Sequence, residues 1–393
     1  MLNTSFARPV GVVLAAGALI AGTASITPVA AADLEPASSD RASAAVAVPV
    51  DLGPDTGLSW ELQETGSTGS FRGLDAVSGM VAWASSDDGE VLRTADGGDT
   101  FVDVAPPEGV ADGLFFRDVE ARSADEALVL AIGNGDASRV YRTEDGGVTW
   151  TETFRADDPA SFFDCMSMFD RRHGIVMGDP VDGKFQILLT SDAGETWTYA
   201  PASGMPDALA GEFGFAASGT CATTTGRKAF FGTGGGAEAR VFRSVDFGQT
   251  WKVSSTPIQS TESGGIFSLD FRTNRLGVAI GGDFATPDEA TDALARSTDG
   301  GVSWQLVDES VAPAGYRSGL AWYADQRGDT RTAIPAEKKV AIAVGPSGSD
   351  ASFNRGKTWV QFDSGAFHGV QCAESACWAS GPEGRIATLV GGP

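Results

Sequence analysis

Histidine is nearly absent from this chain of 393 residues; only His173 and His368 occur. Imidazole is the usual ligand of zinc and copper centres, so no metal site is expected. Positive charge is scarce as well. There are 28 Lys and Arg against 52 Asp and Glu, a net charge of −24. Such a surface repels phosphate backbones and anionic lipid, which argues against nucleic acid as a partner. No glycine fingerprint follows a strand and opens a helix, so no dinucleotide cofactor is expected.

Long apolar runs are missing too, except near the start. Residues 1–32 read as a secretory signal, with Arg8 as a modest positive start, a small apolar stretch at 10–22, and Ala30-Ala31-Ala32 as the cleavage site near Ala32. The stretch is short for a membrane anchor, and the mature chain should hold no span. No Arg-Arg pair precedes it and no Cys follows at the cleavage point. The expected location is therefore secreted or extracytoplasmic. Residues 33–57 are rich in Ala, Ser, Pro and Asp and read as a flexible linker. Residues 58–393 then form one domain.

Against these absences stands one repeated element. The pattern Ser/Thr-x-Asp-x-Gly-x-Thr/Ser-Trp/Phe occurs around Asp96, Asp145, Asp192, Asp246 and Asp299, and again with Asn354 in place of Asp. The period is about 50 residues, which marks a circular array of small sheets. Each copy lies between two strand-like runs. The Asp can accept hydrogen bonds from the turn's own N–H groups. The Gly supplies a positive φ, and the aromatic opens the next strand and buries apolar surface. Each part has a structural task, and Asn354 fits a turn better than a catalytic acid.

These residues resemble Asp-box (BNR) repeats, shared by sialidases, sortilin-type propellers and the photosystem II assembly factor family of seven-bladed propellers. The likeness extends over about residues 58–390 and implies an all-β, WD40/YVTN-like circular repeat. In the first full unit the four strands fall at 71–77, 80–85, 90–94 and 100–104. Seven first strands can be laid out in this way, but only six boxes. The last unit lacks a fourth strand, and Leu58-Ser59-Trp60-Glu61-Leu62-Gln63 has the form of one. The expectation is a seven-bladed β-propeller of four-stranded antiparallel blades, closed by the N-terminal strand pairing with the C-terminal blade.

Boxes join third to fourth strands, so all lie on one face, the box face. The longer loops, at 105–115, 200–217, 254–265 and 283–295, lie on the opposite, loop face, where binding usually resides. First strands also open there. Their ends read Arg72, Arg117, Asp164, Ser218, Ser268, Arg317 and His368, with Asp87, Asp136, Asp179, Asp283 and Glu212 nearby. Arg72, Arg117, Arg317 and His368 are the candidate ligand-binding residues, because Arg suits carboxylate or phosphate capture. Alternatively these charges pair with one another, Arg117 with Asp118 or Asp164, as the lining of a wet channel.

The leading reading is a binding or assembly scaffold for a protein or carbohydrate ligand, monomeric, acting through the loop face. The alternative is a glycoside hydrolase of sialidase-like type. The family resemblance would then cast Arg72, Arg117 and Arg317 as carboxylate binders and Tyr316 as nucleophile, although its Phe-Arg-Ile-Pro motif is only half matched by Phe71-Arg72-Gly73-Leu74. An ordinary carboxylate pair would come from Asp164, Asp179 and Glu212. An oxidoreductase is a lower alternative. Three smaller expectations complete the reading. Cys165 with Cys221, and Cys372 with Cys377, suit two disulfides better than a metal site. His173 belongs to a polar hairpin on the box face. Gly232-Thr233-Gly234-Gly235-Gly236 precedes a strand rather than a helix and reads as a flexible loop.

Overall fold

The computed structural model describes residues 56–323, 340–373 and 376–391. The expected signal segment and nearly all of the expected linker lie outside them. The described chain forms seven four-stranded antiparallel sheets, each built from strands consecutive in sequence except the last. The first blade is Phe71–Ala76, Ala82–Ser86, Val91–Thr94 and Val102–Asp103, close to the expected spans. The seventh places Leu58–Gln63 beside Ile386–Gly391, outside Ala376–Ser380 and Gly369–Ala373.

That seventh sheet closes the ring. Leu58 pairs with Gly391 and Gln63 with Ile386 at the two ends of an unbroken antiparallel register. Trp60 packs its ring against Phe362 and Phe367, at centroid distances of 5.9 and 5.4 Å. Its indole N–H donates to Ser349 Oγ in the neighbouring blade (2.9 Å). The latch therefore joins the N-terminal strand to both blade 7 and blade 6.

The turns behave as their composition suggests. In the second blade Asp145 Oδ1 accepts from the Thr149 N–H (2.8 Å), and its Oδ2 accepts from the Thr149 hydroxyl (2.7 Å). Thr143 Oγ1 in turn accepts from the Gly147 N–H (2.9 Å). Gly147 has a φ of +85°, and a Cβ there would come within 2.5 Å of Val104 in the preceding blade. Two separate constraints therefore select glycine. At Asn354 the carbonyl still accepts from the Thr358 N–H (2.9 Å), while Nδ2 donates to the Thr358 hydroxyl (2.8 Å). The hydroxyl reverses its role, which is why the amide is tolerated.

Between blades, buried aromatics do most of the packing. Trp83, Trp378, Phe116, Phe163, Phe230 and Phe242 are almost fully buried, and rings of this size carry large apolar area. The innermost strands add polar joints. Asp75 accepts from the Ala121 N–H (2.5 Å), Asp118 from the Met166 N–H (2.6 Å) and Asp270 from the Trp322 N–H (3.1 Å). Each carboxyl thus bonds to the backbone of the next blade's first strand, satisfying donors that have no partner within their own sheet.

Trp60→Ala should cost about 2 kcal/mol from lost apolar burial and ring contacts. Deleting Leu58–Gln63 should cost several times more. Chemical denaturation of both variants tests the latch; an unchanged midpoint for the deletion would contradict it.

Candidate functional site

The fourth blade departs from the expected pattern where it matters most. The sequence pattern places a first-strand end at Ser218. Instead a tight 3₁₀ turn, Gly219–Cys221, precedes a short strand, Ala222–Thr225. This turn lies at the axis and touches the innermost strand of each of the other six blades. Ser218 Oγ donates to the Ser318 carbonyl (2.7 Å), and the Thr220 and Ser268 hydroxyls are 2.7 Å apart. A Cβ at Gly219 would collide with the Asp118 carboxylate. The centre is therefore occupied by residues 213–221, a plug, rather than by the open, wet channel expected from the sequence. Small residues and glycine let the backbone reach that far in. The Cys165–Cys221 disulfide ties the plug to blade 3, and Cys372–Cys377 bridges two strands of blade 7.

The plug also determines what the candidate arginines do. Arg72 Nη1 donates to the Ala217 carbonyl (3.3 Å) and Arg117 Nη1 to the Ala216 carbonyl (3.2 Å). Both guanidiniums share Asp87, through Nε contacts of 3.2 and 2.8 Å. Pairing thus occurs, but with Asp87 rather than with Asp118 or Asp164. Arg317 does not join them. Its three guanidinium nitrogens contact Asp350, Ser347 and the Tyr316 carbonyl within blade 6 and its loops.

His368 and Tyr316 lie close enough to Arg72 and Arg117 to feel their charge. Enclosure of the His368 ring, reinforced by Arg72, Arg117 and Arg385, pushes the imidazole well below its usual value, so it is neutral near pH 7. Ser70 Oγ is 3.4 Å from its Nε2. Tyr316 is 6% exposed and packs edge-on against Phe267 at 4.7 Å. Burial raises its phenol, and the nearby arginines only partly oppose that shift. A neutral, buried phenol is a poor nucleophile without a base beside it.

The three candidate carboxylates fall into two groups. Glu212 is committed to Arg240, which contacts it through Nε (2.8 Å) and Nη2. It also accepts from the Thr233 hydroxyl (2.6 Å) and the Leu209 N–H (2.8 Å). Asp164 and Asp179 are brought together instead. Burial pushes Asp179 up to about 7, partly offset by the Gly214 N–H that it accepts at 2.8 Å. Asp164 is raised well above the usual range by burial and by the charge on Asp179. Asp164 Oδ2 has no hydrogen-bond partner among the described residues. Both carboxyls lie directly behind the plug at Gly214, where burial disfavours the charged form of each.

Two neighbouring expectations meet different outcomes. The Gly232–Gly236 run is not a flexible loop. Gly234 exchanges N–H and carbonyl bonds with Phe213 (both 3.1 Å), and a Cβ on it would lie 2.5 Å from the Gly264 carbonyl. Its glycines permit close backbone approach under the plug. His173 does lie in a box-face hairpin, with Nδ1 2.9 Å from Asp170 Oδ2, remote from the residues above. On that same face a cavity lined by Glu120, Arg122 and Arg142 among others has a volume of about 10 Å³, room for no more than one water.

The start of the plug belongs to an aromatic cluster that sequence reading did not single out. Phe215 stacks on Phe267 at 4.0 Å and meets Phe213 at 4.9 Å, with Phe284 at 6.4 Å. The alternation Phe213-Gly214-Phe215 was the available signal.

No family model matches the chain, and no curated protein matches it. Solved structures do. One is described as YCF48 bound to D1 peptide, with 15% identity, a TM-score of 0.56, and coverage of 88% of this chain and 99% of that one. YCF48 from Cyanidioschyzon merolae gives 15% identity, a TM-score of 0.54, and coverage of 84% and 98%. The Pan2 WD40 domain of Neurospora crassa gives 12% identity, a TM-score of 0.53, and coverage of 83% and 90%. At such identities the likeness is one of fold.

Two predictions follow from the buried charges and the disulfide. Hydrogen bonds hold Asp299 at about 2 despite some burial, so its stabilisation is present above pH 4 and is lost as pH falls toward 2. Burial raises Asp75 to about 6 and Asp179 to about 7. Their contribution is complete below pH 4 and is lost as pH rises through 6 to 7. Stability should therefore peak in mildly acidic buffer. Asp179→Asn should shallow the decline between pH 5 and 7.5; an unchanged slope in denaturation midpoints would contradict the assignment. Replacing Cys165 and Cys221 together by Ser should cost about 3 kcal/mol, and a variant as stable as the parent would show that the bridge does not hold the plug.

Proposed function

We propose that this protein is an exported seven-bladed propeller that serves as a binding platform through its loop face. The observation that carries this reading is the filled axis. A closed centre offers a continuous floor for a partner instead of a deep, dry cleft for a small substrate. The floor is framed by the loops at 200–217, 254–265 and 283–295, which are held in place by hydrogen bonds such as Phe284 N–H to the Ser263 carbonyl (3.2 Å). Rigid scaffolds commonly present binding loops in this way. A structural neighbour solved with a bound peptide supports a polypeptide as the ligand class. The two disulfides suit an oxidising compartment, in keeping with a cleaved leader at 1–32, a linker at 33–57 and a monomeric propeller domain beyond.

The sialidase-type alternative draws less support. It needs three converging arginines and an ionisable tyrosine, whereas Arg317 is held by Asp350 and Tyr316 is buried. An oxidoreductase has no residue set in its favour. Chemical cross-linking in the native extracytoplasmic fraction tests the proposal. Partner cross-links should map to the loop face and fall away in Phe284→Ala, while Arg171→Ala with Arg172→Ala on the box face should leave them intact. Cross-links confined to the box face, or turnover of a fluorogenic sialoside that Arg72→Ala abolishes, would overturn it.

A further inference from the structure

The acidic excess of this chain is unevenly placed once the fold is known. The box aspartates are engaged by their own turns, as at Asp145 and Thr149. Bases gather on that same face: Arg171, Arg172, Arg227, Lys228, Arg275 and Lys357 all lie in its hairpins and turns. The loop face is the reverse. Most bases that reach it are paired with carboxylates, Arg139 with Asp112, Arg155 with Glu152, Lys184 with Asp207, Arg240 with Glu212, and Arg72, Arg117 and Arg317 as described above, while Arg385 donates to the Ala366 carbonyl and lies over the Phe367 ring. Exposed carboxylates of Glu262, Asp288 and Glu289 form no ion pair among the described residues, and all three lie in the loops that carry or adjoin Phe284. Asp283, beside Phe284, accepts from the Thr261 hydroxyl (2.7 Å) and the Ser263 hydroxyl (2.6 Å), not from a cation. Beneath Gly214 the Asp164–Asp179 pair likewise has no cationic partner among the described residues.

At the centre of this negative field lies the aromatic cluster. Phe213 and Phe284 are half-buried, while Phe215 is buried between Phe267 and the Gly234 and Gly265 backbones. Partly accessible rings on a rigid floor, rimmed by carboxylates with no ion pair among the described residues, match a ligand that has apolar anchors and positive charge. Resting on the loop-face reading above, we propose that the partner is an extended cationic segment of a protein, seating an aromatic or aliphatic side chain on Phe213 and Phe284, which the buried Phe215 supports, with its Lys or Arg residues over Glu262, Asp288 and Glu289. The same field disfavours acidic peptides and acidic sugars.

Fluorescence polarisation on the mature, oxidised chain tests this with four probes: a Lys/Arg-rich peptide carrying Phe and Leu, the same peptide with those anchors replaced by Ser, an acidic peptide with the anchors kept, and a sialylated oligosaccharide. The anchored cationic peptide should bind best and weaken about tenfold between low and moderate salt, as charge steering predicts. Phe284→Ala, and separately Glu262→Gln with Glu289→Gln, should each weaken it about fivefold or more. Glu262 and Glu289 are exposed and Phe284 is half-buried, and the melting midpoint checks that each variant folds. Tighter binding of the acidic peptide or the oligosaccharide, still sensitive to Phe284→Ala, overturns the cationic partner while leaving the loop-face reading in place. Binding that ignores both loop-face variants but is lost in Lys357→Gln overturns both. Absence of binding by every probe overturns the cationic segment.

Discussion

Seven innermost strands converge on one axis, and the polar groups they bring there must be satisfied out of reach of bulk water. That requirement organises this molecule. Residues 213–221 meet it by entering the axis as a plug, with backbone carbonyls offered to Arg72 and Arg117 and hydroxyls offered to Ser268 and Ser318. A buried guanidinium is tolerable only when paired and hydrogen-bonded, and Asp87 completes that arrangement for two of them. The residues that looked like a ligand site in sequence are in large part the fastening of the plug.

The plug in turn shapes the loop face. It seals the centre, packs Phe213 and Phe215 on the backbones of Gly235, Gly234 and Gly265, and puts Gly214 against the Asp164–Asp179 pair. The Cys165–Cys221 bridge and the Glu212–Arg240 contact hold its two ends. A face built on such a floor suits recognition by contact and charge rather than chemistry in a cleft. Electrostatic segregation follows from the same architecture. Box acids share their face with Arg171, Arg172, Arg227, Lys228, Arg275 and Lys357, whereas Glu262, Asp288 and Glu289 on the loop face form no ion pair among the described residues.

Much of the fold was legible in the residues. Asp96, Asp145 and their counterparts announce turns because Asp, Gly and hydroxyl residues at those spacings have few other uses. The lone fourth strand around Trp60 announces closure because seven first strands cannot be completed without it. The cysteine pairing was legible from strand placement. The site was less so. Ser218-Gly219-Thr220 reads as the start of a strand, since its departure depends on whether the axis has space, which is a property of all seven blades together. Arg317 stands in register with Arg72, yet its partner Asp350 comes from the third strand of its own blade. The Gly232–Gly236 run looks mobile in isolation, and only the Gly264 carbonyl and the rings of Phe213 and Phe215 beside it show why side chains are excluded. Local pattern carried the elements; contacts between distant segments carried the site.

The account turns on the plug being a fixed part of the ring. Hydrogen–deuterium exchange on the mature, oxidised chain measures that directly. Peptides spanning residues 213–221 should be protected to a degree near that of the buried strand Val340–Gly345. Exchange as fast as in an exposed loop such as 285–290 would mean an open axis and would contradict the account.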